Sequence, residues 1–165
     1  MDRRPLMRRK DREVTDPEQI RQIILDCPCC RVGFYDEGDI YIVPMNFGYV
    51  ENGEQKTFYF HGAAEGRKAS LIQNSPHVGF ELDANYSLIK GENACGYSAY
   101  FQSVIGTGRI QRVERLEEKK AGLLALMQHY TDSPDWTFST SSLQSVEIFR
   151  LDVETLSCKA HLNFA

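Results

Sequence analysis

The sequence predicts a mainly β protein: a β-barrel of six or seven antiparallel strands with three α-helices inserted between them. Three observations carry this expectation. Short β-rich stretches recur between turn signals from Cys30 to His161. Helical periodicity is confined to three separated segments. Their order lacks the regular strand–helix alternation that builds a doubly wound parallel sheet. Closing the strands into a barrel, or nearly so, removes exposed edges.

The elements follow in chain order. Asp16 caps a first helix with Pro17 at its first position, or Thr15 and Glu18 form a capping box. Ile20, Ile23, Ile24 and Cys27 share one face of that helix, and Pro28 ends it. Residues 30–35 form a strand, Asp36-Glu37-Gly38-Asp39 a turn, and residues 40–47 a second strand. Asn52-Gly53 is a hairpin signal leading to a third strand at 57–61. A short helix fits residues 64–73, stopped by Asn74-Ser75-Pro76. Residues 77–82 are a fourth strand and 97–113 a long fifth, in which Gly106-Thr107-Gly108 marks a bulge or corner. A longer helix covers 114–130, with Leu116, Leu123, Leu124, Met127 and Tyr130 on its apolar side. Strands at 146–153 and 156–161 close the pattern.

Composition sets the function classes. The chain has 165 residues, 42% of them hydrophobic and 25% charged, as expected of a globular domain. Residues 1–12 form a basic N-terminal arm with six bases against two acids, and residues 13–165 a single domain. That domain holds 13 bases and 21 acids, a balance that argues against duplex nucleic acid as its partner. The longest apolar run, 121–127, is far short of the roughly 20 residues of a membrane span, and no signal pattern precedes it. The expected compartment is the cytoplasm, with no membrane partner. Five cysteines, Cys27, Cys29, Cys30, Cys95 and Cys158, are an odd number without a secretory signal, so no disulfide framework is expected. Cys27-Pro28-Cys29-Cys30 lacks the paired spacing of a tetrahedral metal site and reads as buried or partly buried thiols.

Three segments carry candidate chemistry. Phe58-Tyr59-Phe60-His61-Gly62-Ala63-Ala64-Glu65-Gly66-Arg67-Lys68 runs from a strand through a glycine-flanked turn into a helix. Helix starts favour anions, yet two cations sit at this one. A bound phosphate resolves that conflict, and side chains reaching into water are the alternative. In Val43-Pro44-Met45-Asn46-Phe47, Pro44 marks an edge or bulge, where backbone groups face either solvent or a ligand. Tyr100-Phe101-Gln102-Ser103-Val104-Ile105 suits either a ligand wall or barrel core.

The order of these segments resembles the flavin-binding split-barrel family related to pyridoxamine 5′-phosphate oxidase, and more closely the 5-nitroimidazole antibiotic resistance (Nim-type) proteins within it. The residues that carry the resemblance are Met7 to Glu13, Val43 to Phe47, Phe58 to Ala63 with Gly66-Arg67-Lys68, and Ser103-Val104 before Gly106-Thr107-Gly108. The resemblance implies an FMN-binding split barrel, forming a homodimer with the flavin at the subunit interface. It implies cofactor contacts from Val43, Pro44, Met45, Asn46, His61, Gly62, Ser103 and Val104, with Arg67 and Lys68 on the phosphate. It places His61 beside the flavin and a small aromatic substrate, as the candidate catalytic proton donor. The chain departs from the true pyridoxamine 5′-phosphate oxidases at its end, Lys159-Ala160-His161-Leu162-Asn163-Phe164-Ala165, which lacks their substrate-phosphate contacts. The expected function is therefore an FMN-dependent oxidoreductase, with nitroaromatic reduction as the candidate reaction. The alternative is a flavin- or haem-binding module that stores or senses without turnover. His77, His129, His161 and Trp136 are expected in structural or surface roles.

Overall fold

The computed structural model describes residues 8–133 and 135–162. Residues 1–7 of the basic arm, Pro134 and the tail from Asn163 lie outside the described residues. The described chain opens with a 3₁₀ turn, Lys10–Arg12, and continues through β1 (Glu13–Val14), α1 (Pro17–Asp26), β2 (Cys30–Asp36), β3 (Asp39–Met45), β4 (Gly48–Asn52) and β5 (Gln55–Gly62). Then come α2 (Arg67–Asn74), β6 (His77–Ile89), a 3₁₀ turn at Ala94–Gly96, β7 (Ser98–Arg112), α3 (Leu116–Tyr130), α4 (Thr140–Ser145) and β8 (Glu147–His161). The strands form one antiparallel sheet in the order β3-β2-β6-β7-β8-β5-β4, with β1 added to β8. This is the mainly β split barrel: the sheet curls on itself and stays open between β3 and β4.

Alternation decides what fills it. Cys30, Val32 and Phe34 on β2, Val78, Phe80 and Leu82 on β6, and Phe58 and Phe60 on β5 point inward and are almost wholly buried. α1 covers one end of this core with Ile23 and Ile24, and α2 another part with Leu71 and Ile72. The alternative at the first helix start resolves to Asp16, whose Oδ2 accepts the Gln19 N–H at 2.9 Å, with Pro17 at the first position.

Several elements differ from the sequence expectation. The strand expected at 40–47 stops at Met45, and Gly48 begins a separate β4 that forms the other border of the split. The strand expected at 77–82 runs on to Ile89, because a register shift between Ala84 and Ser87, with Asn85 at φ 55°, interrupts its alternation. The two last strands are one. Thr107 pairs with Thr155 and Gly108 with Val153, so Glu154 is the extra residue of a bulge. The bulge expected at Gly106-Thr107-Gly108 is found there. α2 begins later than residue 64, after Gly66 at φ 108°.

The face of α3 is the largest correction. Its buried residues are Lys119, Gly122, Ala125 and Leu126, whereas Leu123, Leu124 and Met127 are only half-buried. The helix lies so close to β4 and β5 that small residues occupy the contact. A Cβ on Gly122 would meet Tyr59 at 2.8 Å, and one on Gly48 would collide with the α3 backbone at Ala125 and Leu126. The Lys119 ammonium donates to the Val146 carbonyl at 2.8 Å, which lets a charged residue sit on the buried side. Gly48→Ala therefore destabilises the protein by about 1–3 kcal/mol, the scale of overpacking against backbone. Gly79→Ala, whose nearest new neighbour is 3.9 Å away, changes stability by less than about 0.5 kcal/mol. Urea unfolding of the two variants checks the contrast.

Candidate functional site

The candidate site forms where α2 starts, beside β3. β5 carries Phe60 and Gly62 toward the interior, and the chain then turns at Gly66 into α2. No side chain caps that helix among the described residues, so its first N–H groups are free to receive an anion. The Lys68 ammonium folds back over Gly62, where a Cβ would sit 2.6 Å from Nζ. Nζ lies 3.6 Å from Met45 Sδ and 5.6 Å from the centre of the Phe149 ring. These neighbours desolvate it, and the Lys68 pKa is lowered for that reason. No carboxylate lies within salt-bridge distance of it among the described residues.

Arg67 is held differently. Its guanidinium donates to Asp36 Oδ2 at 2.8 Å from Nε and 2.6 Å from Nη2, and it stacks over the Tyr41 ring at 4.3 Å. Asp36 ends β2 and Tyr41 lies on β3, so the β2–β3 hairpin fixes the guanidinium from one side. Neither partner is legible in the sequence. Asp36 read as a turn residue, and Tyr41 carried no signal beyond strand alternation.

The structure brings Met45, Gly62 and Lys68 together, with Arg67 beside Lys68 at the start of α2; Val43 lies half-buried two residues before Met45 on β3. β3 is an edge strand, as Pro44 predicts, paired in the sheet only with β2. Backbone groups on its far side are thus available to a ligand. Pro44 and Asn46 are exposed and Met45 is buried. His61 is exposed and alternates away from Gly62, toward the face that carries Tyr59 and α3. Ser103 and Val104 lie elsewhere. Val104 is wholly buried and paired on both sides, with Leu82 and Cys158. Ser103 is half-buried on the outer face between Asp83 and Lys159. Three strand spacings, about 14 Å along the sheet, separate β7 from β3.

The remaining expectations resolve individually. Cys27, Cys30 and Cys158 are buried thiols; burial pushes Cys27 up to about 12 and Cys158 up to about 11. Cys29 is half-buried and Cys95 exposed. His77 pairs with Glu154 on the surface at 3.0 Å, and His161 Nδ1 meets the Ala99 carbonyl at 2.7 Å. Trp136 donates to Thr131 Oγ1 at 3.1 Å.

The fold and the site together describe an antiparallel split barrel with a bare helix start and a desolvated lysine beside its open edge. The chain belongs to the pyridoxamine 5′-phosphate oxidase family, whose model matches residues 16–160. A candidate 5-nitroimidazole antibiotic resistance protein from Bacteroides thetaiotaomicron is 31% identical, with a TM-score of 0.77 over 89% of this chain and 85% of that one. A flavocytochrome from Azotobacter vinelandii is similar at 19% identity and TM-score 0.79, over 99% of this chain and 75% of its own. An FAD- and haem-binding protein from Mycobacterium smegmatis reaches 15% identity and TM-score 0.75, over 90% and 73%. The last two likenesses show the fold alone. Among curated proteins none matches the chain. No helix among the described residues is long and apolar enough to cross a membrane.

The lowered Lys68 pKa has a measurable consequence. Between that lowered value and 10.5 the unfolded chain binds the proton more tightly than the folded one. The stability of ligand-free protein therefore rises with pH across that window. Lys68→Met removes this part of the slope, and denaturant unfolding from pH 8 to 10.5 reads the difference.

Proposed function

We propose that the protein is an FMN-binding oxidoreductase that acts as a homodimer, with the flavin at the subunit interface and a small aromatic substrate, nitroaromatic compounds being the candidate class. The observation that carries the proposal is the Lys68 ammonium, half-buried against Gly62 at a bare helix start, with no carboxylate in salt-bridge range among the described residues. A phosphate monoester fits this cradle: it supplies the missing negative charge and accepts from the free N–H groups. Bound FMN would supply two-electron transfer.

In this reading Lys68 and the first N–H groups of α2 hold the phosphate. Arg67, already tied to Asp36, contributes its remaining N–H groups. The open edge of β3 from Val43 to Asn46 orients the ring. Ser103 cannot reach this edge within one chain, because three strand spacings intervene; a second copy would bring it there. Exposed Tyr35, Ile40, Ile42 and Ile105 on the outer sheet supply apolar area for such a contact. His61 would donate a proton to the reduced substrate.

One observation favours the second reading, a flavin-binding module without turnover: the His61 side chain leaves β5 on the face opposite Gly62. The similarity to the candidate nitroimidazole-resistance protein supports the enzyme, and the likeness to a haem-binding protein makes haem the other cofactor to exclude. An absorption spectrum of purified protein, with mass spectrometry of the released ligand, separates flavin from haem.

Lys68→Ala weakens FMN binding by about tenfold or more, as expected for a charge-assisted bond of about 1.5–3 kcal/mol. Arg67→Ala has a smaller effect because Asp36 already engages the guanidinium. Riboflavin affinity changes little in either variant. Equal losses for FMN and riboflavin would place the phosphate elsewhere. Light scattering is expected to give twice the chain mass. In the enzyme, His61→Ala lowers turnover per bound flavin by about 10²-fold; an unchanged rate assigns His61 no proton transfer.

A further inference from the structure

The end of α3 grips two loops that the flavin reading does not use. Tyr130 Oη accepts the Phe47 N–H at 3.1 Å and donates to the Pro28 carbonyl at 2.9 Å. His129 Nε2–H donates to the Cys27 carbonyl at 2.8 Å, and its ring packs on Phe47 at 4.2 Å. One helix turn thus ties the loop before β2 to the corner after β3. Between those ties lies the Cys30–Met45 pair, and Met45 Sδ is a neighbour of the Lys68 ammonium.

The tie includes an unusual atom. A carbonyl only accepts, so the bond to Cys27 fixes the proton on Nε2 and leaves Nδ1 bare. Nδ1 is buried without a hydrogen-bond partner. A second proton there would put a positive charge where no acceptor stands. The ionisable side chain packed on this ring is the Tyr130 phenol of its own helix, at 4.5 Å between ring centres; the loop before β2 presents the Cys27 backbone carbonyl, and the Cys27 thiol turns away to the Ile23 carbonyl. The corner presents the apolar Phe47, and among the described residues no carboxylate lies within salt-bridge distance of the His129 ring.

We propose that His129 and Tyr130 are positioning residues that lock the Met45–Phe47 corner in the geometry flavin binding needs, and that protonation of His129 opens the lock. The proposal rests on the flavin reading of the neighbouring cradle. The sign follows from burial, which lowers the His129 pKa below its ordinary 6.5. The lock is intact above that value and is lost as pH falls toward the lowered one. Flavin therefore leaves in mild acid.

The test combines flavin affinity, measured by fluorescence quenching with FMN from pH 7.5 to 5, and amide exchange at Phe47 in flavin-free protein. The unaltered protein is expected to lose affinity by about fivefold or more over that range. His129→Gln keeps an N–H toward Cys27 and cannot be protonated, so its affinity stays flat within about twofold. Tyr130→Phe binds FMN about 2–10-fold more weakly at pH 7.5, the scale of one net hydrogen bond. Its Phe47 amide exchanges faster, while its pH dependence persists. A His129→Gln protein with the original pH slope, or an unchanged Phe47 amide in Tyr130→Phe, overturns the proposal. Absence of FMN binding at every pH defeats the flavin reading instead, and the Phe47 exchange rate still decides whether the lock exists.

Discussion

The seam between β3 and β4 is the constraint from which the rest of the architecture follows. A seven-strand path that curls without closing leaves two edges, and an uncovered edge exposes unpaired backbone groups. The two edges are treated differently. β4 lies under α3, which approaches closely enough to require glycine at position 48 of β4, and at position 122 of the helix where it passes Tyr59 of β5. β3 stays open along Val43 to Met45, with Pro44 removing one N–H from that strand. The short corner at Asn46-Phe47 joins a covered edge to a free one. Phe47 anchors it by burying its whole ring against Phe58 and His129.

The electrostatics follow the same division. On the covered side, charges are satisfied within the fold: Arg150 reaches Glu118 of α3 at 2.6 Å, and Lys119 reaches a carbonyl. On the free side, Arg67 is neutralised by Asp36, but Lys68 is desolvated with no counter-charge in range among the described residues. The helix dipole makes this arrangement less favourable, because a cation at a helix start opposes the field of the aligned N–H groups. The unfavourable charge is confined to one half-buried residue, at the place where the backbone leaves room for an anion.

Much of the fold was legible because strand and helix periods differ and turns declare themselves. Asn52-Gly53, Asp16-Pro17 and the glycines at 106 and 108 each specified a local geometry that the structure contains. Readings failed where a tertiary contact overrode the local pattern. α3 was assigned its most apolar side, but proximity to Tyr59 and Gly48 selected the small residues Gly122 and Ala125 for the contact. β6 was cut short because a bulge at Asn85 breaks the alternation on which recognition depends. At the site, Arg67 and Lys68 were visible as misplaced charges at a helix start. Asp36 and Tyr41 were not, since their roles come from a hairpin folding back across thirty residues of chain. Val104 shows the converse: the resemblance implies a cofactor contact for it as for Ser103, yet alternation sends one outward and the other into the core.

Stability and binding are linked through this arrangement. A protein that keeps an uncompensated ammonium at its open edge is less stable empty than filled, and any anion that binds only the folded form adds stability in proportion to the logarithm of its concentration over Kd. The strain is not spread through the core, whose buried aromatics Phe34, Phe58 and Phe60 pack without polar partners. It sits on Lys68, whose neighbours Met45 and Gly62 end β3, which borders the seam, and β5, which lies next to β4. Met45 in turn precedes the corner held by Tyr130. In the proposed reading, a ligand that relieved the charge would also brace the segment joining the free edge to the covered one, and loosening that segment would weaken the hold on the ligand. The opening that interrupts the barrel thus sets the free edge one short corner away from the strand that α3 covers.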